Sequence, residues 1–254
     1  MVLSFGPYDW LLVAVVAAQS ALVAYLFQPR WKAFVFMLPF PFTFATLALG
    51  QRVDATNVFG LCLVVFFAHL VRMFYRHLKL PIILAIGISA VTYAAAGWLL
   101  AGLVPNDDRT FASAIGAALV VALVLHCLQS HRDEPGHRTS LPIWAKLPII
   151  IILILVLVVV KKQLRGFMTM FPMVSIMAAY EARHSLWTLC RHIPTQLFGM
   201  AALMTVARWL GPRLGLAAAL AIGWIAFLSI VLPLTRQLWI DAKEEESSDR
   251  SPGQ

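Results

Sequence analysis

The chain has 254 residues, 61% of them hydrophobic and 13% charged, with a formal net charge of +8. Soluble domains carry roughly 25% charged residues, so a water-soluble fold is excluded. The basic excess sits in short loops and reads as the charge that orients a membrane protein, not as a nucleic-acid surface.

Long apolar runs recur without the alternation of strands, which predicts an all-α integral membrane protein. The first nine residues hold no Lys or Arg. The first run, about Trp10 to Phe27, is therefore expected to be a retained transmembrane helix and not a signal peptide. The second, about Trp31 to Gly50, carries Pro39 and Pro41 near its middle, where a kink or partial unwinding is expected. The third runs from about Val58 to Phe74 and the fourth from about Leu80 to Val104, with Pro81 in its first turn. Pro105-Asn106-Asp107-Asp108 is a turn, and the fifth span follows over about Thr110 to Leu128.

The longest polar loop, Gln129 to Thr139, then links to a sixth span at about Ile143 to Val160, which ends at Lys161-Lys162-Gln163-Leu164-Arg165. The seventh, Gly166 to Tyr180, is short and holds Pro172 and Ser175. The eighth, about Thr188 to Ala207, opens with Arg191, His192 and Pro194, and the ninth covers about Leu210 to Leu234 with Pro212 near its start. The polar tail, 236–254, is expected to be disordered. Cys62, Cys127 and Cys190 lie in or beside apolar runs and form no C-x-x-C pair, so no disulfide is expected.

Phe36-Met37-Leu38-Pro39-Phe40-Pro41 recurs as Phe167-Met168-Thr169-Met170-Phe171-Pro172, 131 residues later. At the same offset Ala48 meets Ala179 and Arg52 meets Arg183, without a gap. This is read as an internal duplication: repeat 1 over 1–104, a central fifth span and linker over 105–140, and repeat 2 over 141–235. An odd span between the copies makes the second enter the membrane from the opposite face, giving a 4+1+4 inverted layout of about nine helices. Lys and Arg at the span ends divide 13 to 7 in favour of the face that holds the C-terminus, so the N-terminus is expected outside and the C-terminus inside.

The Phe-Pro helix, the Arg-bearing loop after it and the two apolar spans that follow resemble the GlpM family of small four-span bacterial inner-membrane proteins. Gly166–Arg183 and Gly211-Pro212 carry the resemblance in the second copy and Phe36–Arg52 in the first. It implies a bacterial inner-membrane location and a link to cell-envelope polysaccharide production, but no defined chemistry. A tandem inverted fusion departs from the family's single four-span pattern.

Matched proline-broken spans are the pattern expected at a transporter's solute site. The candidates are Pro41 and Pro172, with Thr43, Thr46 and Ser175 one or two turns on, spans 2 and 7 framing the site and spans 3 and 8 lining it. Arg52 and Arg183, each with a carboxylate two residues away (Asp54 and Glu181), are candidate gates at opposite mouths. Arg191 and Gln196 cluster with His192 and Thr195 where span 8 begins. Against each stands a plainer reading: prolines that only kink, hydroxyls that bond their own helix, and charges that snorkel to water.

No zinc pair, nucleophile elbow or phosphate loop is present, so neither enzyme activity nor a cofactor or metal is expected. The expected function is a permease or exporter of a small polar or anionic solute in the lipid bilayer. The alternative is a non-transporting scaffold or accessory subunit of an envelope complex, or of a homo-oligomer.

Overall fold

The computed structural model describes residues 6–128, 134, 136, 137, 148 and 166–249. All regular structure among them is helical. Helix α1 (Pro7–Tyr25) begins with proline, whose missing N–H is harmless at a helix start, and Asp9 accepts from the Gly6 amide at 2.9 Å. The second span is broken into α2 (Pro29–Met37) and α3 (Phe40–Leu49). A proline ring pushes the preceding residue out of the helical region, and Leu38, before Pro39, is extended at φ −62° and ψ 128°.

Helix α4 (Ala55–Arg72) is capped by Asp54 and runs into one π-helical turn, Met73–His77. It is followed by α5 (Ile82–Ala101) and α6 (Asp108–Leu128). The second proline span is α7 (Gly166–Thr169) and α8 (Met173–Glu181), interrupted at Met170–Pro172. Two long helices complete the chain, α9 (Leu186–Leu214) and α10 (Leu216–Asp249).

Among the described residues, six helical stretches are long and apolar enough to cross a bilayer: Pro7–Tyr25, Pro29–Leu49, Ala55–His77, Ile82–Ala101, Asp108–Leu128 and Leu216–Ile240. The chain is an all-α, multi-pass membrane protein. Nine such spans were expected. The predicted sixth, at Ile143–Val160, lies outside the described residues, as do the Lys161–Arg165 cluster and most of the linker. The predicted seventh is the short α7–α8 pair. The predicted eighth is α9, which has ample length but is diluted by Arg191, His192, Gln196 and Arg208.

Two boundaries differ from the sequence reading, and a third point that it left open is decided. Pro41 does not make the first break; it occupies the second position of α3, where proline is tolerated, and Pro39 makes it. Pro212 does not open the last span but lies in the final turn of α9, and the chain turns at Gly215, whose φ of 83° suits glycine. Helix α10 continues to Asp249, through most of the tail expected to be disordered; Ala242, Lys243 and Glu244–Glu246 are good helix formers that extend an existing helix.

Packing crosses between the two ends of the sequence. Helix α4 lies on α7, and α9 lies on α2; α3 touches α7, and α8 touches α2; α5 touches α8, and α10 touches α3. Helix α1 packs against both α3 and α8. Helix α6 leans on α4 and α9. Close approach of α7 to α4 depends on Gly60, where an added Cβ would meet Met170 Cβ at 2.9 Å. Val16, Met37, Val58, Phe167 and Leu197 are fully enclosed at the centre.

Candidate functional site

The two breaks meet. Leu38, Pro39 and Pro41 from the first and Met170, Phe171 and Pro172 from the second line one cavity of about 40 Å³. Val64 of α4, Thr169 of α7, Ser175 of α8 and Gln196 of α9 also line it. A water needs roughly 10–15 Å³ of such space, so the cavity admits a ligand of a few heavy atoms. A wider groove between α6, α9 and α10 is almost wholly apolar; its Thr205 hydroxyl is bonded to Ala201 O at 2.7 Å.

A broken helix leaves carbonyls without partners, which in hydrocarbon must be met by the protein. Gln19 of α1 meets the first break, its Nε2 donating to Val35 O (2.7 Å) and Leu38 O (3.1 Å). Tyr93 of α5 meets the second, its hydroxyl 2.9 Å from Phe167 O. Asn57 Nδ2 donates to Thr169 Oγ1 at 2.8 Å, and that hydroxyl donates to Gly166 O at 2.7 Å. The amide ends of α3 and α8, by contrast, have no side-chain cap.

An aromatic ring braces each break. Tyr93 packs edge-on against Phe171 with ring centroids 5.3 Å apart. Trp224 of α10 packs on Phe40 at 4.8 Å, and its indole donates to Thr43 Oγ1 at 2.8 Å. Trp224 follows Tyr93, and Phe171 follows Phe40, by the same 131 residues that separate the Phe-Pro motifs. Identity matching misses the first pair because Tyr and Trp differ.

Of the predicted residues, Pro41, Pro172, Ser175 and Gln196 come together at the cavity. Thr43 does not line it; its hydroxyl donates to Pro39 O at 2.8 Å. Thr46 is buried on α3, apart from the lining.

Arg52 lies at the end of the bundle where α4 begins. Its predicted partner, Asp54, instead accepts from the Thr56 amide at 2.8 Å as the α4 cap. Arg52 meets Asp108 at 3.4 Å. Asp108 also holds Arg208, 1% exposed, at 2.6 Å, and Arg208 donates to Val53 O at 2.7 Å beside the Phe111 ring. The sequence reading missed Arg208, although an arginine well inside an apolar helix is itself a signal.

Glu181, Arg183 and Arg191 lie towards the other end. Glu181 is fully buried. Lys32, 1% exposed, donates to Glu181 O at 3.0 Å and to His137 O at 2.6 Å. The rings of His137 and His184 stack edge-on at 4.4 Å. Burial first, and the Arg183 guanidinium second, hold both imidazoles below the usual histidine pKa. Arg183 donates to Tyr180 O at 3.3 Å, and Arg191 is half-buried on α9.

Glu134, from the linker, accepts from the Thr188 amide (2.7 Å) and the Trp187 amide (3.3 Å) at the start of α9. Ser185, which stands where Asp54 stands on α4, makes no cap bond. Compared with known proteins, the chain matches no family model, no curated protein and no solved structure.

Proposed function

We propose that the chain is a secondary-transporter-like permease or exporter of a small solute, built as an inverted tandem duplication of a GlpM-like four-span unit. Its site is the cavity between the two proline breaks. One observation carries the reading: breaks 131 residues apart in sequence face each other around a single cavity. The crossed packing of α4 on α7 and α9 on α2, and the matched Tyr93–Phe171 and Trp224–Phe40 pairs, are what a pseudo-two-fold axis in the membrane plane would generate. Helices α1–α5 belong to the first copy (1–104) and α7–α10 to the second (141–235), with α6 between the copies. The charged clusters at the two ends, Arg52–Asp108–Arg208 and Lys32–Glu181–Arg183, act as alternating gates. The N-terminus faces outward and the C-terminus the cytoplasm of a bacterial inner membrane.

Two-sided thiol accessibility tests this. With Cys62, Cys127 and Cys190 replaced, single cysteines at Leu38 and Met170 report on the cavity from either break. Labelling of each by a membrane-impermeant reagent from both faces is expected. A folded, inserted protein that labels from neither face has a dry centre; the permease reading then fails, and a scaffold role in an envelope assembly takes its place.

A further inference from the structure

We propose that the cavity binds a compact inorganic monoanion, of halide to nitrate size; this deepens, and rests on, the reading of the cavity as the solute site. At the cavity, α3 and α8 both begin and α2 and α7 both end. The ends are not treated alike. The carbonyl ends are met by Gln19, Tyr93 and the Asn57–Thr169 pair. The amide ends have no side-chain cap. The Met173 amide is taken by Phe171 O at 2.7 Å and Pro41 has no N–H, so it is the remaining first-turn amides that give the cavity donors and positive dipole.

Two side chains add to it. Gln196, 7% exposed, and Ser175, 5% exposed, line the cavity. Among the described residues neither side chain has a hydrogen-bond partner. Two such buried polar groups call for a ligand or water.

Charge sets the valence. A helix start presents roughly half a positive elementary charge, so two of them compensate about one negative charge. No charged side chain lines the cavity. A dianion would be left half-compensated, and a zwitterion would find no carboxylate for its ammonium group. A cation would find the Val35, Leu38, Gly166 and Phe167 carbonyls already occupied by donors. Size then restricts the ligand to a few heavy atoms.

The test uses full-length protein in liposomes, native cysteines replaced, with a single cysteine at Met170 and an impermeant maleimide. Chloride or nitrate replaces gluconate at constant ionic strength. A control cysteine at Asn106, in an exposed turn, corrects for salt effects on the reagent. Chloride and nitrate are expected to slow labelling at Met170 at least threefold, and exchange of sodium for potassium to leave it unchanged. Gln196→Glu keeps the shape but brings a negative charge, and is expected to abolish protection while labelling persists. Should that variant not elute as a folded protein, Ser175→Ala is expected to raise the half-protecting chloride concentration at least threefold.

Labelling indifferent to anions overturns the anion assignment and leaves the permease reading standing. So does protection that follows the cation, or that survives Gln196→Glu or is unchanged by Ser175→Ala. Absence of labelling from both faces overturns the permease reading, and the anion assignment with it.

Discussion

Glu134 shows how much one residue outside any helix can hold. It occupies, from the linker, the capping place that Ser185 leaves unfilled, and its carboxylate also lies 3.7 Å from Arg76. Losing an N-cap costs typically about 1 kcal/mol. Glu134→Ala is expected to lower the melting temperature in detergent by about 2–4 °C, an effect that a thermal scan reads directly. Gly166 is a second such position. A Cβ there would stand 2.2 Å from Thr56 Oγ1 and 2.8 Å from the Asn57 backbone nitrogen. Gly166→Ala should therefore destabilise clearly, whereas Gly116→Ala, with nothing within 4 Å, should shift the melting temperature by no more than about 2 °C. Equal effects would mean that α7 is not seated on α4 as described. His137 and His184 have lowered pKa values, so the folded state binds fewer protons than the unfolded chain. Their burial beside Arg183 costs nothing above about pH 6.5, where both rings are neutral, and costs stability as pH falls through the lowered values. Melting temperature measured from pH 8 to pH 5 should fall at the acid end, and fall less in His137→Gln. Little of this was legible beforehand. A capping residue supplied across the fold carries no local spacing, and Lys32, near a helix start, is recognisable as a buried cation only when its acceptors are known.

Among elements, the proline breaks were the most legible feature, and their chemistry the least. Two prolines two residues apart cannot both break a helix, and the sequence alone did not choose between Pro39 and Pro41. Geometry chooses: Pro39 forces Leu38 out of the helix, and Pro41 then lands where a helix start accepts it. The donors that make the breaks tolerable lie on α1 and α5 and look like ordinary polar residues in apolar runs. Gln19→Leu should leave the Leu38 carbonyl without a partner, at a cost of about 1–3 kcal/mol, and Val35 O with only the Leu38 amide at 3.3 Å; it is expected to destabilise more than Tyr93→Phe, which removes one hydroxyl from Phe167 O. Thermal unfolding of the purified variants gives that order. The reverse order would mean that the first break does not depend on Gln19. Pro212 misled for the opposite reason. A helix already held by α2, α4, α6 and α10 carries a proline in its final turn, and the reversal falls instead to Gly215.

At the scale of the molecule, apolar runs without alternation made the helical class legible, and the recurring Phe-Pro motif pointed to the meeting of spans 2 and 7. The braces at Tyr93 and Trp224 share the offset but not the residue, so matching identities did not find them. Crossed packing also predicts how the protein comes apart. Helices α1–α5 lie against α7–α10, so each set's break is covered in part by the other set. Two fragments divided within the linker are expected to be unstable singly and to co-purify when co-expressed; two independently stable fragments would argue against the intertwined arrangement.

The bonds at the breaks also have a direction in time. A chain is made from its N-terminus, and Gln19 precedes the α2 carbonyls it meets. Thr56, Asn57 and Tyr93 are in place before Gly166, Phe167 and Thr169 arrive. Glu134 precedes the start of α9, and Asp108 precedes Arg208. In each case the later segment enters a bilayer where its polar partner is already waiting. An interrupted helix is hardest to insert while its backbone is bare. The order of the sequence thus lets the first half serve as the template on which the second is assembled, and a circular permutation beginning at α7 would keep these contacts yet remove the template.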